Sequence, residues 1–245
     1  MKKVPITLLI ILISLAPAHA EIMTSLRTFN ELFSESAETD KFQALKQESE
    51  KAQDAWQAYL TVTRSVPADI NNNLRDKYRQ LAITLALKAA RANNPDALTL
   101  VYTRDDVDVP EFLPARQQMV NALLTVAEKA SGTAGDARLL LAAGDVLQNG
   151  RLVVQNSLRA AAFYARAWHA GSDVAASRLN SLFMSIKDPA SAYLWALRCT
   201  GNCALEEGHK ASDMLTPRQI TSVQGLARDS RVLTVNGLGS QEDIR

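Results

Sequence analysis

Three groups of residues in this chain are of types that do chemistry elsewhere. Arg104-Asp105-Asp106-Val107-Asp108 puts three carboxylates within four residues, and Glu111 follows. A calcium loop needs oxygen ligands at alternating positions, a glycine at its sharp turn and a distal bidentate Glu. The glycine is missing, so the segment reads as a solvated loop. Beyond His19, the histidines are His169 and His209, and neither stands in an H-x-x-x-H pair or beside a cysteine. His169 falls near a helix end, where a cation would complement the helix dipole. No nucleophile elbow of the G-x-S-x-G type occurs, and Gly237-Leu238-Gly239 precedes no helix, so it is no nucleotide loop. The expectation is a protein that is not an enzyme and takes no cofactor or metal.

The third group is Cys199 and Cys203, the two cysteines of the chain. In an unbroken helix, residues four apart hold their Cβ atoms about 5–6 Å apart, whereas a disulfide wants roughly 3.5–4.5 Å. Gly201-Asn202 lies between them, and such residues readily take the left-handed conformation that ends a helix. In an oxidising compartment the expectation is a structural Cys199–Cys203 disulfide. Free thiols are the alternative; a redox-active pair would have C-x-x-C spacing.

Helices must position all of these. Leu26, Phe29, Leu32 and Phe33 predict a helix over Thr24–Ser34. Phe42, Leu45, Ala52, Trp56, Tyr59 and Leu60 predict a second over Asp40–Thr63, and the Ser34–Thr39 turn would fold the two into a hairpin. Pro67-Ala68-Asp69 restarts the chain, with Asp69 as the expected cap. Leu74, Tyr78, Leu81, Leu85 and Ala89 then line one face of a helix over Ile70–Ala92, which Asn93-Asn94-Pro95 ends. Further helices are expected over Ala97–Tyr102 and over Pro114–Ala130, the latter burying Met119, Leu123, Val126 and Ala130. The sole strand candidate, Arg231–Val235, is short. The reading is all-α.

Leu139–Ala175 is the most ordered stretch: an apolar helix stops at Asn149-Gly150, a short loop follows, and a second helix ends at Gly171. Its pattern resembles the Sel1-like repeat, a relative of the tetratricopeptide repeat. Gly144, Gly150, Val153, Arg159, Ala160, Tyr164, Ala167 and Gly171 are in register, with Asn156 in an Asp place and Phe163 in a Trp place. Leu147, Leu152 and Trp168 depart from the pattern. A degenerate unit follows, in which Ala175, Leu179 and Phe183 keep the first helix, Ser185–Pro189 the shrunken loop and Ala192–Trp195 the second helix. Helix starts at Asp96-Ala97, Asp136-Ala137 and Asp173–Ala175 recur about every 40 residues, a solenoid period. Leu215–Ala227 looks like the closing helix of such an array. The resemblance implies a right-handed α-solenoid of helix–turn–helix repeats over 67–228, capped by an N-terminal helical hairpin over 21–66 and followed by a flexible tail over 229–245. It also implies a protein partner carried on the groove of successive first helices. Arg138, Asp145 and Gln148 are the candidate partner-binding residues on the helix of the best repeat. Phe163, Tyr164 and Ala167 should pack one unit onto the next.

The first residues carry an address. Met1-Lys2-Lys3 is basic, Val4–Leu15 is an apolar run, and Ala18-His19-Ala20 has an A-x-A cleavage pattern, together a secretory signal peptide over 1–20. The run of about 12 residues falls short of the roughly 20 that span a bilayer. No cysteine follows the cleavage point, so neither a lipid anchor nor a stable membrane anchor is expected. The formal net charge of +1 becomes −1 once Lys2 and Lys3 leave, so the basic field that nucleic-acid binding requires is lacking. The expected function is a non-catalytic scaffold for protein–protein interactions, periplasmic or secreted. It would serve a secretion, polysaccharide-export or adhesion assembly of the bacterial envelope, or bind host factors. A regulator or inhibitor of a periplasmic enzyme is the alternative. Sequencing of the exported protein should begin at Glu21; Met1 in a membrane fraction would contradict the cleavage.

Overall fold

The computed structural model describes residues 36–104, 109–199 and 210–235, and every regular element among them is helical. The expected signal peptide and the helix over Thr24–Ser34 lie outside the described residues. Two compact units divide after Leu85, inside a helix, whereas the sequence suggests a boundary at 66/67.

In the first unit, α1 runs through residues 36–51 and α2 covers Ala55–Arg64; α3, Asn72–Arg91, contributes its first turns. Phe42, Ala58, Val62, Leu74, Tyr78, Leu81 and Leu85 form one apolar cluster, which draws the first half of α3 into this unit. Phe42 meets the Tyr78 ring edge-on at 4.8 Å, a favoured aromatic geometry. The single helix expected over Asp40–Thr63 is broken at 52–54. The Asp54 carboxylate there accepts from the Trp56 and Gln57 amides at 2.9 and 3.0 Å, capping α2 rather than continuing α1. The expected turn over Ser34–Thr39 is helical from residue 36. Asn71, not Asp69, caps α3, its Oδ1 accepting from the Leu74 amide at 2.8 Å.

The second unit contains α4 (Pro95–Thr103), α5 (Phe112–Lys129), α6 (Ala137–Asn149), α7 (Ser157–His169), α8 (Asp173–Ser185), α9 (Pro189–Arg198) and α10 (Pro217–Leu226). Each of α5 through α9 packs on the next in sequence, α4 packs on α5 and also on α6, and α10 packs on α9. The buried face of α5 is Phe112, Ala115, Met119, Val120, Leu123, Leu124 and Ala127. Val126 and Ala130, expected on it, are only half-buried, because the i, i+4 row through Ala115, Met119 and Leu123 leads to Ala127.

Three of the joints are built alike. Asn93, Gly171 and Lys187 take positive φ of 60°, 91° and 63°. The next amide then donates to the carbonyl five residues back: Asn94 to Ala89 (3.1 Å), Ser172 to Ala167 (2.9 Å), Asp188 to Phe183 (2.9 Å). This Schellman-type closure satisfies the orphan carbonyls and starts the next helix within two residues. Asn94 and Asp188 also cap that helix with their side chains. The α6–α7 joint is longer: Gly150 at φ 64° ends α6, and Asn156 caps α7 through the Arg159 amide at 2.9 Å.

Residues 227–235 contain no strand and are held on α9. Arg198 donates to the carbonyls of Ala227 (3.2 Å), Asp229 (2.6 Å) and Val232 (2.7 Å). Its guanidinium also lies 4.7 Å from the Trp195 ring centre and 5.1 Å from that of Trp168. The buried Trp195 donates its indole N–H to Leu233 O at 2.9 Å, and Val235 N–H donates to Ser191 Oγ at 2.8 Å. The first seven residues of the expected tail are therefore anchored. Burial pulls the Arg198 pKa down to about 10, against Asp229, which raises it, so it stays a cation at neutral pH. Arg198→Ala removes charge-assisted hydrogen bonds and cation–π contacts together. It should cost about 3 kcal/mol in urea unfolding and speed tryptic cleavage after the exposed Arg228 and Arg231.

Candidate binding groove

A cavity of about 440 Å³ opens in the second unit. Tyr102 and Thr103 reach it from the end of α4, with Arg104 just beyond; Arg116 comes from α5, Arg138, Leu141, Ala142 and Asp145 from α6, and Val174 and Arg178 from α8. The helices that contribute most are thus alternate ones along the chain.

Its walls are tied from behind. Arg116 donates Nε to Val101 O at 2.7 Å and Nη2 to Arg104 O, so its charge sits against the carbonyl end of α4, where a cation is favoured. Tyr102 gives its hydroxyl hydrogen to Arg116 O at 2.5 Å. Burial pushes that phenol well above its ordinary pKa although Arg116 pulls the other way, so it is a permanent donor.

Tyr164 fixes the other wall. Its ring occupies the space in front of Gly144, where an added Cβ would lie 2.5 Å from the ring's Cε1; any side chain there must displace the ring. Its hydroxyl lies 2.7 Å from both Asp145 Oδ1 and the Gln148 side-chain oxygen position. With one hydrogen to give, the hydroxyl donates to the carboxylate, the stronger acceptor. The Gln148 amide completes the set when turned to present its NH₂. Burial first, and then Asp145, raise the Tyr164 pKa far above the phenol range. Asp145 Oδ1 is also ion-paired with Arg178, whose Nε lies 3.2 Å away.

Of the partner-binding candidates, Arg138 and Asp145 line the cavity; Gln148 is not among the lining residues but holds Tyr164. Asp145 therefore has a packing role that its position among the apolar residues of α6 did not reveal. Arg138 is exposed and, among the described residues, has no ion pair. The chain alone pointed to neither Arg104, Arg116 nor Arg178, because only the packing of α4, α5, α6 and α8 brings them together.

The other candidates lie elsewhere. Asp105, Asp106, Asp108, His209 and Cys203 are outside the described residues. Cys199 caps the C-terminus of α9, is buried and is disulfide-bonded. His169 ends α7 against the Trp168 ring, 5.0 Å between centroids. Burial, and then Arg198, hold its pKa below the ordinary value. Among the described residues no group of His, Cys, Asp and Glu is placed to hold a metal ion, and no helix is long and apolar enough to cross a membrane. The chain matches no protein-family model, no curated protein and no solved structure.

Asp145→Ala removes the charged acceptor of the buried Tyr164 hydroxyl and leaves it only Gln148, which should cost about 1–3 kcal/mol in chemical unfolding. Arg138→Ala, at an exposed position without an ion pair among the described residues, should stay within about 0.5 kcal/mol of wild type. Equal stability losses would mean that Asp145 does not support Tyr164.

Proposed function

We propose that this protein is a non-catalytic binding scaffold of the bacterial cell envelope, and that its second unit is a right-handed solenoid of Sel1-like repeats. The carrying observation is the groove, lined chiefly by α4, α6 and α8, the first helices of the successive hairpins. Support for the repeat reading comes from the helix starts at Pro95, Ala137 and Asp173 and from the Gly144–Tyr164 and Gly150 positions, which fall where the resemblance puts them. The leader-like N-terminus supports export. A protein partner suits an open concavity of mixed polar and apolar lining.

The test is a photo-crosslinking residue placed at Val174, which is 53% exposed in the groove, or at Val154, which is 89% exposed in the α6–α7 loop. Irradiated cells of the source organism should give one discrete protein adduct from position 174 and none from 154. Equal adducts from both positions, or none from 174, would count against a groove scaffold. His169→Ala should leave the adduct unchanged.

A further inference from the structure

We propose that the groove recognises a carboxylate-rich, partly apolar peptide segment of its partner, with Arg138 as the principal free cation. This rests on the scaffold reading and gives the partner a chemistry. Among the described residues four arginines line the cavity, Arg104, Arg116, Arg138 and Arg178, against one carboxylate, that of Asp145. Two of the four are already committed: Arg116 to the carbonyls ending α4, and Arg178 to Asp145. Among the described residues Arg104 and Arg138 have no ion pair. The imbalance is local, because the whole chain is close to neutral. A concave surface of one sign focuses its field on an oppositely charged ligand. Guanidinium forks match carboxylates in bidentate geometry.

The groove is not polar throughout. Leu141 and Ala142 lie between Arg138 and Asp145 on α6, and Val174 is exposed beside Arg178. Apolar surface between cations suits a peptide that alternates acidic and apolar side chains. A polyphosphate, with no apolar groups, would leave that surface in water. Asp145 adds discrimination: with its Oδ1 engaged by both Tyr164 and Arg178, it repels a ligand carboxylate placed opposite it. It thereby sets the register in which acids can meet Arg138. Asp105, Asp106 and Asp108 follow Arg104 directly in the chain, so Arg138 rather than Arg104 carries the test.

The experiment uses the mature full chain and a short fluorescein-labelled peptide of alternating Glu and Leu, followed by anisotropy. Its counterpart with Gln for Glu and inorganic tripolyphosphate as competitor complete the set. The Glu peptide should bind, the Gln peptide should bind at least tenfold more weakly, and added salt should weaken the first more than the second. Arg138→Gln should weaken Glu-peptide binding about tenfold, which is about 1.4 kcal/mol, with an unchanged melting temperature. Arg64→Gln, at the exposed end of α2, should change nothing. Equal affinity for both peptides, an unaltered affinity in Arg138→Gln, or tripolyphosphate displacing the peptide at equal concentration would each overturn the proposal. If no peptide binds while position 174 still crosslinks to a partner, the acidic class falls and the scaffold stands. If both fail, both fall.

Discussion

The approach of the Tyr164 ring to Gly144 is the constraint on which the second unit depends. At most helix contacts a methyl group more or less shifts stability by a modest amount. Here the ring lies so near the α6 backbone that only hydrogen fits at the Cα, so α6 and α7 are set at one distance. That closeness carries the Tyr164 hydroxyl past Gly144 to Asp145 and Gln148. Asp145 in turn reaches Arg178 on α8. A single side chain from α7 thereby orders three helices, and the groove wall is the outer face of that arrangement. Asp145 both supports Tyr164 and lines the groove, so a change there made to test the proposed recognition also touches stability.

Much of this was legible in the sequence where punctuation is strong. Asn149-Gly150, Asn156 and Gly171 end and restart helices by mechanisms that need no tertiary partner: left-handed φ and side-chain capping. The α6–α7 hairpin could therefore be read directly. The first unit was read less well for the same physical reason in reverse. Asp54 stands inside an unbroken helical stripe of apolar residues, and nothing local says whether it faces water or turns back to cap a new helix. Asn71 and Asp69 stood two residues apart as possible caps, and the sequence pattern does not separate them, whereas the helix begins at Asn72 with Asn71 as its cap. On α5, a stripe read from Met119 and Leu123 drifted by one residue at its end. The row of positions four apart determines which neighbours it meets.

The groove was partly visible. Arg138 and Asp145 stood out because charged residues among the apolar positions of a first helix must face a cleft or solvent. Gln148 stood out on the same ground but holds a tyrosine from the following helix. Arg104, Arg116 and Arg178 were invisible as a group. Their common feature is the spatial neighbourhood of α4, α5, α6 and α8, and charge pattern along one helix does not encode it. Arg198 shows the same limit: two indole rings of α7 and α9 flank it, and three carbonyls are brought to it by the return of the chain after α10.

Two of the four arginines lining the groove are already engaged. Arg116 faces the carbonyl end of α4, so its positive charge is offset by a helix terminus rather than by a carboxylate. Arg178 is balanced by Asp145, but that carboxylate is itself engaged by Tyr164, whose hydroxyl stabilises the anion and keeps it in place. An incoming acid that draws on Arg178 would leave Asp145 with Tyr164 still bound, so the wall need not unravel to admit it. The cost of such an exchange is small because the Asp145–Arg178 pair is half exposed, and pairs of that kind contribute only about 0–1 kcal/mol. Recognition can therefore use Arg178 as well as Arg138 without drawing on the interactions that hold α6 against α7. The same reasoning separates Arg116 from them, since pulling it away would uncover the carbonyls at the end of α4.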